Sequence, residues 1–306
     1  MKPNFPSEGI LVALALPTDA QGALCADAIR QHLQWLRGVG IHGALALGST
    51  GEFSFFSLEE RKRILAFTAE AAAPLPVIAN VSDINPKVAC ELAKTARDEG
   101  LAGVAVMPPS FYPVSAADQL AFFLKVAEAA APLPVMLYNF PELACNRIAI
   151  ETVEAFADRA NMKGYKQSGR EFSYHSELIA MGKEKGFGVF SGADTRLPEV
   201  FQLGAAGCIG GLVNMVPELM LEQFRVYKQG QPGELEPTAS RMKEVGQIID
   251  RLTFPINVPA GLAARGFEPG VPKSIVSAQS QEIFDGIVKD LRAKFVEWGL
   301  PLYQAK

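Results

Sequence analysis

Short apolar runs return along this chain about every 30 residues, each followed by a stretch of helical spacing, and the intervening segments partly repeat. Pro74-Leu75-Pro76-Val77 follows a run of alanines and recurs after another as Pro132-Leu133-Pro134-Val135, 58 residues on (132 − 74). Gly40-Ile41-His42-Gly43 leads into Ala44 to Leu47, and Gly100-Leu101-Ala102-Gly103 into Val104 to Met107, 60 residues on (100 − 40). Each period holds two strand-plus-helix units. Strands that run parallel and are covered on both faces read as continuous apolar runs, not alternating ones. On that pattern strands are predicted at 10–16, 41–47, 76–81, 103–107, 134–138, 162–166, 188–191 and 208–212. Helix starts agree with the spacing: Ser57 with Glu60 forms a capping box, Asn85 caps a helix with Pro86 in its first turn, and Ser115 precedes Asp118 by three. Helical apolar stripes such as Ile29, Leu33 and Leu36, or Val88, Leu92 and Ala96, would cover the sheet.

Eight alternating units predict an α/β chain folded as a (β/α)8 TIM barrel, with a doubly wound open sheet as the competing arrangement. The count favours closure. After Pro217 the pattern is helical at 218–227, 237–252 and 282–298, and the Pro- and Gly-rich 254–272 reads as an ordered connector. The expected organisation is a catalytic barrel over residues 1–230 and a C-terminal helical extension over 231–306.

A hydrophobic share of 49% supplies a large core, and a net charge of −4 without long charged runs excludes the footprint of a nucleic-acid binder. No apolar stretch reaches the roughly 18 residues needed to cross a bilayer, and Met1 to Ile10 lacks a signal-peptide core, so a cytoplasmic protein without a membrane partner is expected. Cys25, Cys90, Cys145 and Cys208 lie far apart with no zinc-ligand spacing, which predicts buried free thiols and no metal site. His32, His42 and His175 show no metal spacing either and are read as surface or packing residues.

In such barrels the chemistry gathers where the strand C-termini converge. Gly48-Ser49-Thr50-Gly51-Glu52 follows the second strand, and its hydroxyls and free N–H groups suit a carboxylate, although a capped glycine turn reads the same way. Tyr138 ends the fifth strand, its hydroxyl aimed at the mouth or half-buried in packing. Lys166 ends the sixth. Lysine is rarely buried, and an amine removed from water is held in the neutral form that attacks a ketone; the plain alternative is a side chain that snorkels to the rim. Ser191-Gly192-Ala193-Asp194 ends the seventh strand, where Asp194 could bind hydroxyls or cap a helix. Gly204 to Gly211, around Ile209, removes side chains where a ligand or a neighbouring strand approaches.

Taken together, the motifs GSTGE at 48–52, YNFP at 138–141, GYKQS at 164–168, SGAD at 191–194 and GAAGCIGG at 204–211 resemble those of the dihydrodipicolinate synthase / N-acetylneuraminate lyase family. The resemblance runs from about Ile10 to the C-terminus. It implies a homotetrameric barrel enzyme, active without metal or other cofactor, in which Lys166 forms a Schiff base with pyruvate or another 2-oxo acid. It further implies that Tyr138 relays protons, that Ser49 and Thr50 hold the carboxylate, and that the Ile209 backbone lies against the pyruvyl unit. Departures bear on the substrate. Leu143 stands where the synthase has an arginine for a second carboxylate, and Thr195 and Gly211 stand where sialic-acid lyases have a glutamate and a serine. Phe111 occupies the place of a second tyrosine of the relay.

The resulting expectation is a pyruvate-dependent lyase that cleaves a 2-keto-3-deoxy sugar acid or similar hydroxylated 2-oxo acid. Gly48, Gly192, Asp194 and Thr195 then join Ser49, Thr50 and Ile209 around the substrate. The alternatives are a dihydrodipicolinate synthase, a sugar-acid dehydratase using the same imine, and a non-catalytic 2-oxo-acid-binding regulator.

Overall fold

A computed structural model of the chain describes residues 4–231 and 235–304. Eight parallel strands close into a barrel in sequence order: β1 (Gly9–Ala13), β2 (Gly43–Ala46), β3 (Val77–Asn80), β4 (Gly103–Val106), β5 (Val135–Asn139), β6 (Met162–Gln167), β7 (Gly188–Ser191) and β8 (Gly207–Gly210). The seam pairs β1 with β8, Gly9 opposite Gly207 and Leu11 opposite Ile209. All eight predicted strands are present, because each apolar run is buried between the barrel interior and a helix.

The connecting helices are α1 (Ala26–Val39), α2 (Leu58–Ala72), α3 (Pro86–Asp98), α4 (Ala116–Ala130), the single turn α5 (Pro141–Ala144), α6 (Ile150–Ala157), α7 (Tyr174–Lys185) and α8 (Leu197–Leu203). Their starts follow the sequence signals. Ser57 and Glu60 complete a reciprocal capping box on α2, Asn85 accepts from Lys87 N–H at the start of α3, and Ser115 accepts from Asp118 N–H on α4. The repeated segments also share their geometry: Gly40 and Gly100 turn through the left-handed region into β2 and β4.

Alternation along the strands makes two cores. Leu11, Leu45, Ile78, Met136, Phe190 and Ile209 fill the barrel interior, while the opposite-facing residues pack under the helices. Phe5 closes the floor: a Cβ on Gly103 would stand 2.7 Å from its ring, and one on Gly164 would stand 3.0 Å from it. The interior is therefore reached from the C-terminal mouth.

Beyond the barrel come α9 (Pro217–Lys228), α10 (Glu236–Ile249), α11 (Asn257–Arg265) and α12 (Ala278–Glu297). The helix α11 corrects the reading of 254–272 as a connector. Pro259 sits in its first turn, where a missing N–H breaks no bond, and Gly261 admits the Met215 side chain, so two apparent helix breakers serve a packed helix. The thiols also differ from expectation: Cys208 is buried, but Cys25 and Cys90 are partly exposed and Cys145 is exposed, since only Cys208 lies on a barrel strand. Among the described residues no helix is long and apolar enough to cross a membrane.

Two tests follow from this packing. Gly207→Ala drives a Cβ into the Gly9 carbonyl at the seam and is expected to cost about 3 kcal/mol or more, whereas Gly38→Ala, on an open stretch of α1, is expected to gain up to about 1 kcal/mol. Denaturant unfolding of both variants separates seam packing from helix propensity. The second concerns His32, buried on α1 with Nε2 2.9 Å from the Asn214 carbonyl; burial lowers its pKa from 6.5 to about 4. The unfolded chain then binds this proton first, so the contribution of His32 to stability is constant above pH 6.5 and falls by about 3 kcal/mol as pH drops toward 4. A His32→Gln variant is expected to show a shallower acid limb in the same unfolding measurements.

Candidate active site

The C-terminal mouth holds a cavity of about 260 Å³. Of the residues expected there, Thr50, Tyr138, Lys166, Gly192, Asp194, Thr195 and Ile209 line it, while Gly48 and Ser49 do not. Tyr138 and Lys166 are register partners on β5 and β6 and both point inward. Lys166 is 4% exposed and makes no hydrogen bond or ion pair among the described residues; its Nζ lies 4.2 Å from the centroid of the Tyr138 ring. The amine is thus buried over an aromatic face and left open toward the cavity. The snorkelling alternative is not the observed conformation.

The Tyr138 hydroxyl lies 3.2 Å from Ser49 Oγ, which links Ser49 to the cavity. The turn that carries Ser49 is shaped by left-handed Leu47 and Glu52, and it closes through Gly51 N–H to Gly48 O and Glu52 N–H to Ser49 O. Ser49 and Thr50 N–H donate to nothing among the described residues, leaving two adjacent backbone donors free. Glu52 is anchored by Lys273, 3.0 Å away, each side chain 9% exposed, and Lys273 also donates to Leu16 O. From β3, Asn80 donates to Leu47 O at 2.6 Å and accepts from Ser82 Oγ, which in turn accepts from Met107 N–H. Behind the lysine, Asn139 donates to Gln167 across β5 and β6.

On the far wall, Asp194 neither caps a helix nor projects freely. Its carboxylate accepts from Leu212 N–H at 2.8 Å and from the Cys208 thiol at 3.3 Å, in space that Gly210 leaves open. Burial holds its pKa above the ordinary carboxylate value, opposed by those two bonds and by nearby Lys166. Gly192 is required by the Ser168 hydroxyl, which occupies the place of a Cβ. Thr195 packs on α10, where a Cβ at Gly246 would lie 2.7 Å from its methyl.

Other groups of the wall carry no local sequence signal. Asp250, Phe254, Asn257 and Val258 line the cavity from beyond the barrel, and Lys273 holds the Ser49 turn from 221 residues away. Phe111 and Tyr112 do not line it; they are 74% and 64% exposed, their rings packed edge to face at 4.8 Å. Phe111 holds a left-handed φ of 76°, unusual for a bulky residue, and its loop is tied down by Asn146 through Pro109 O, Tyr112 O and Val114 N–H. Phe53 and Phe56 pack on the core with Arg61 and Lys273 over their rings, while Phe55 is exposed.

A closed barrel whose C-terminal mouth holds a buried, unpaired lysine amine beside a tyrosine and free backbone donors has its polar groups where TIM-barrel enzymes carry their active sites. The sequence profile of the Dihydrodipicolinate synthetase family matches residues 6–293, and the chain belongs to that family. It is similar to an uncharacterised DapA-like lyase of Halobacterium salinarum, 28% identical over 267 residues that make up 87% of each chain. A second such lyase, of Pyrococcus horikoshii, is 30% identical over 263 residues, 85% of this chain and 91% of that one. Among solved structures, YagE, a prophage protein of the dihydrodipicolinic acid synthase family from E. coli K12 in complex with pyruvate, superposes with a TM-score of 0.86. It is 25% identical and covers 96% of this chain and 99% of its own. The chain is a lyase of this class.

Removing Lys273 tests the turn. Lys273→Met strands the Glu52 carboxylate in a mostly buried position and is expected to lower unfolding free energy by about 3 kcal/mol. Chemical unfolding checks this; a variant as stable as the parent would mean the ion pair does not hold the turn.

Proposed function

We propose that Lys166 forms a Schiff base with the 2-oxo group of pyruvate-derived substrates and that the enzyme reversibly cleaves a 2-keto-3-deoxy sugar acid or a related hydroxylated 2-oxo acid. The observation that carries this reading is the buried Lys166 amine, without a polar partner, 4.2 Å from the Tyr138 ring centroid. In this reading the Ser49 and Thr50 N–H groups and hydroxyls hold the substrate carboxylate, with Gly48 shaping their turn and Ile209 lying against the pyruvyl unit. Lys166 Nζ attacks C2, and loss of water gives the protonated imine. Tyr138, hydrogen-bonded to Ser49, accepts the C4 hydroxyl proton as the C3–C4 bond breaks. The bonding pair moves to C3 and is stored as an enamine, and the aldehyde leaves. Proton return to C3 and hydrolysis of the imine release pyruvate and the free amine.

Among the described lining residues Lys166 is the one basic side chain, whereas Asp194 and Asp250 are acidic. Leu143 is exposed and does not line the cavity. That charge balance supports an uncharged tail in place of a second carboxylate, with Gly192, Asp194 and Thr195 on the tail side. The pyruvate bound by YagE supports the oxo-acid half. The same reading takes residues 1–230 as the catalytic barrel and 231–306 as its helical extension, in a cytoplasmic homotetramer; the exposed rings of Phe111 and Tyr112 support burial against a second copy.

Borohydride reduction in the presence of pyruvate is expected to yield a stable adduct that peptide mass spectrometry maps to Lys166 and that Lys166→Ala lacks. Tyr138→Phe is expected to retain the adduct and lose about 10²- to 10⁴-fold in turnover. An adduct on another lysine, or none, contradicts the assignment.

A further inference from the structure

The outer wall of the cavity is supplied from outside the barrel: Ile249 and Asp250 at the end of α10, Phe254, and Asn257 at the first position of α11. Ile249 and Phe254 are apolar, and Asp250 and Asn257 are polar. Asn257 is 5% exposed and yet without a side-chain hydrogen bond among the described residues, its Oδ1 fully buried and unpartnered. A buried carboxamide is normally satisfied, because leaving it unpaired forfeits the bonds it made to water. The start of α11 does not require an amide there, since the helix begins without a side-chain cap. A half-turn of the amide exchanges its oxygen and nitrogen, so the group can offer either a donor or an acceptor to an occupant.

Only certain occupants suit it. Among the described lining residues a carboxylate tail would meet Asp194 and Asp250 and no cation besides Lys166, whose nitrogen in the proposed reaction is bonded to C2. A purely apolar tail would leave the amide unpaired. A hydroxyl both donates and accepts, so it can pair with whichever amide atom of Asn257 faces the cavity.

We propose that Asn257, contributed by the C-terminal extension, binds a hydroxyl group on the aldehyde half of the substrate and thereby selects uncharged, polyhydroxylated tails over unsubstituted ones. This rests on the reading of the cavity as a 2-oxo-acid lyase site. The barrel residues perform the bond cleavage, and the extension sets which aldehyde is accepted. A site built to hydrogen-bond a hydroxyl discriminates strongly against the analogue that lacks it, so the amide acts on specificity more than on the chemical step.

The test compares the wild-type protein with Asn257→Leu and Asn257→Ala in three readouts: the borohydride-trapped pyruvate adduct, pyruvate release from a panel of six-carbon 2-keto-3-deoxy sugar acids, and pyruvate release from 4-hydroxy-2-oxopentanoate, whose tail is a methyl group. The expected result is an unchanged adduct on Lys166 in all three proteins, which also reports correct folding. In both variants kcat/KM should fall about 10- to 100-fold on the preferred sugar acid, chiefly through KM, and stay level or rise on 4-hydroxy-2-oxopentanoate. Retained preference for the hydroxylated acid in variants that trap pyruvate overturns the role of Asn257 and leaves the lyase reading standing. Loss of the adduct from both variants does so too, because it makes Asn257 a structural residue. A wild-type protein that traps pyruvate but turns over none of the sugar acids likewise overturns it. Absence of the adduct from the wild-type protein removes the lyase reading itself.

Discussion

An amine held away from water, with an aromatic ring as its nearest neighbour and no counter-ion in contact, is the constraint around which this molecule is organised. Lys166 can occupy that position because β6 ends inside a closed barrel, floored by Phe5 and filled by apolar side chains from alternate strand positions. In an open sheet the same lysine would reach solvent. Closure in turn depends on close backbone approach at the β1–β8 seam, where Gly207 leaves no room for a side chain against Gly9. The small residues of the eighth strand thus serve the lysine of the sixth.

Around this amine the polar groups form a supported layer. The Ser49 turn is strained at Leu47 and Glu52, and each strained residue has its own restraint: Asn80 on the Leu47 carbonyl, Lys273 on the Glu52 carboxylate. Asp194 fastens β8 to the β7 loop in the same manner. Free N–H groups are costly in a folded protein, and these restraints hold in place the turn that carries them.

The barrel was legible in the sequence because covered parallel strands cannot alternate; their continuous apolar runs, about 30 residues apart, admit few other folds. Ser57, Asn85 and Ser115 marked helix starts through purely local bonds. Much of the site was legible for a similar reason, since Thr50, Tyr138, Lys166 and Asp194 stand at strand ends that converge whatever the loops do. What stayed hidden depended on distant packing. Pro259 and Gly261 look like breakers until Met215 is placed beside them, so α11 read as a connector and Asn257 drew no notice. Lys273 has no local pattern that points to Glu52, and Phe5 sits in a short segment with no periodicity.

The most direct measurement of the central claim is the crystal structure of the protein soaked with pyruvate at neutral pH. The account predicts continuous density from Lys166 Nζ to C2 of the pyruvyl group, with its carboxylate on the Ser49 and Thr50 N–H groups. Pyruvate bound elsewhere, or lying in the cavity unbonded while Lys166 turns toward solvent, would contradict it.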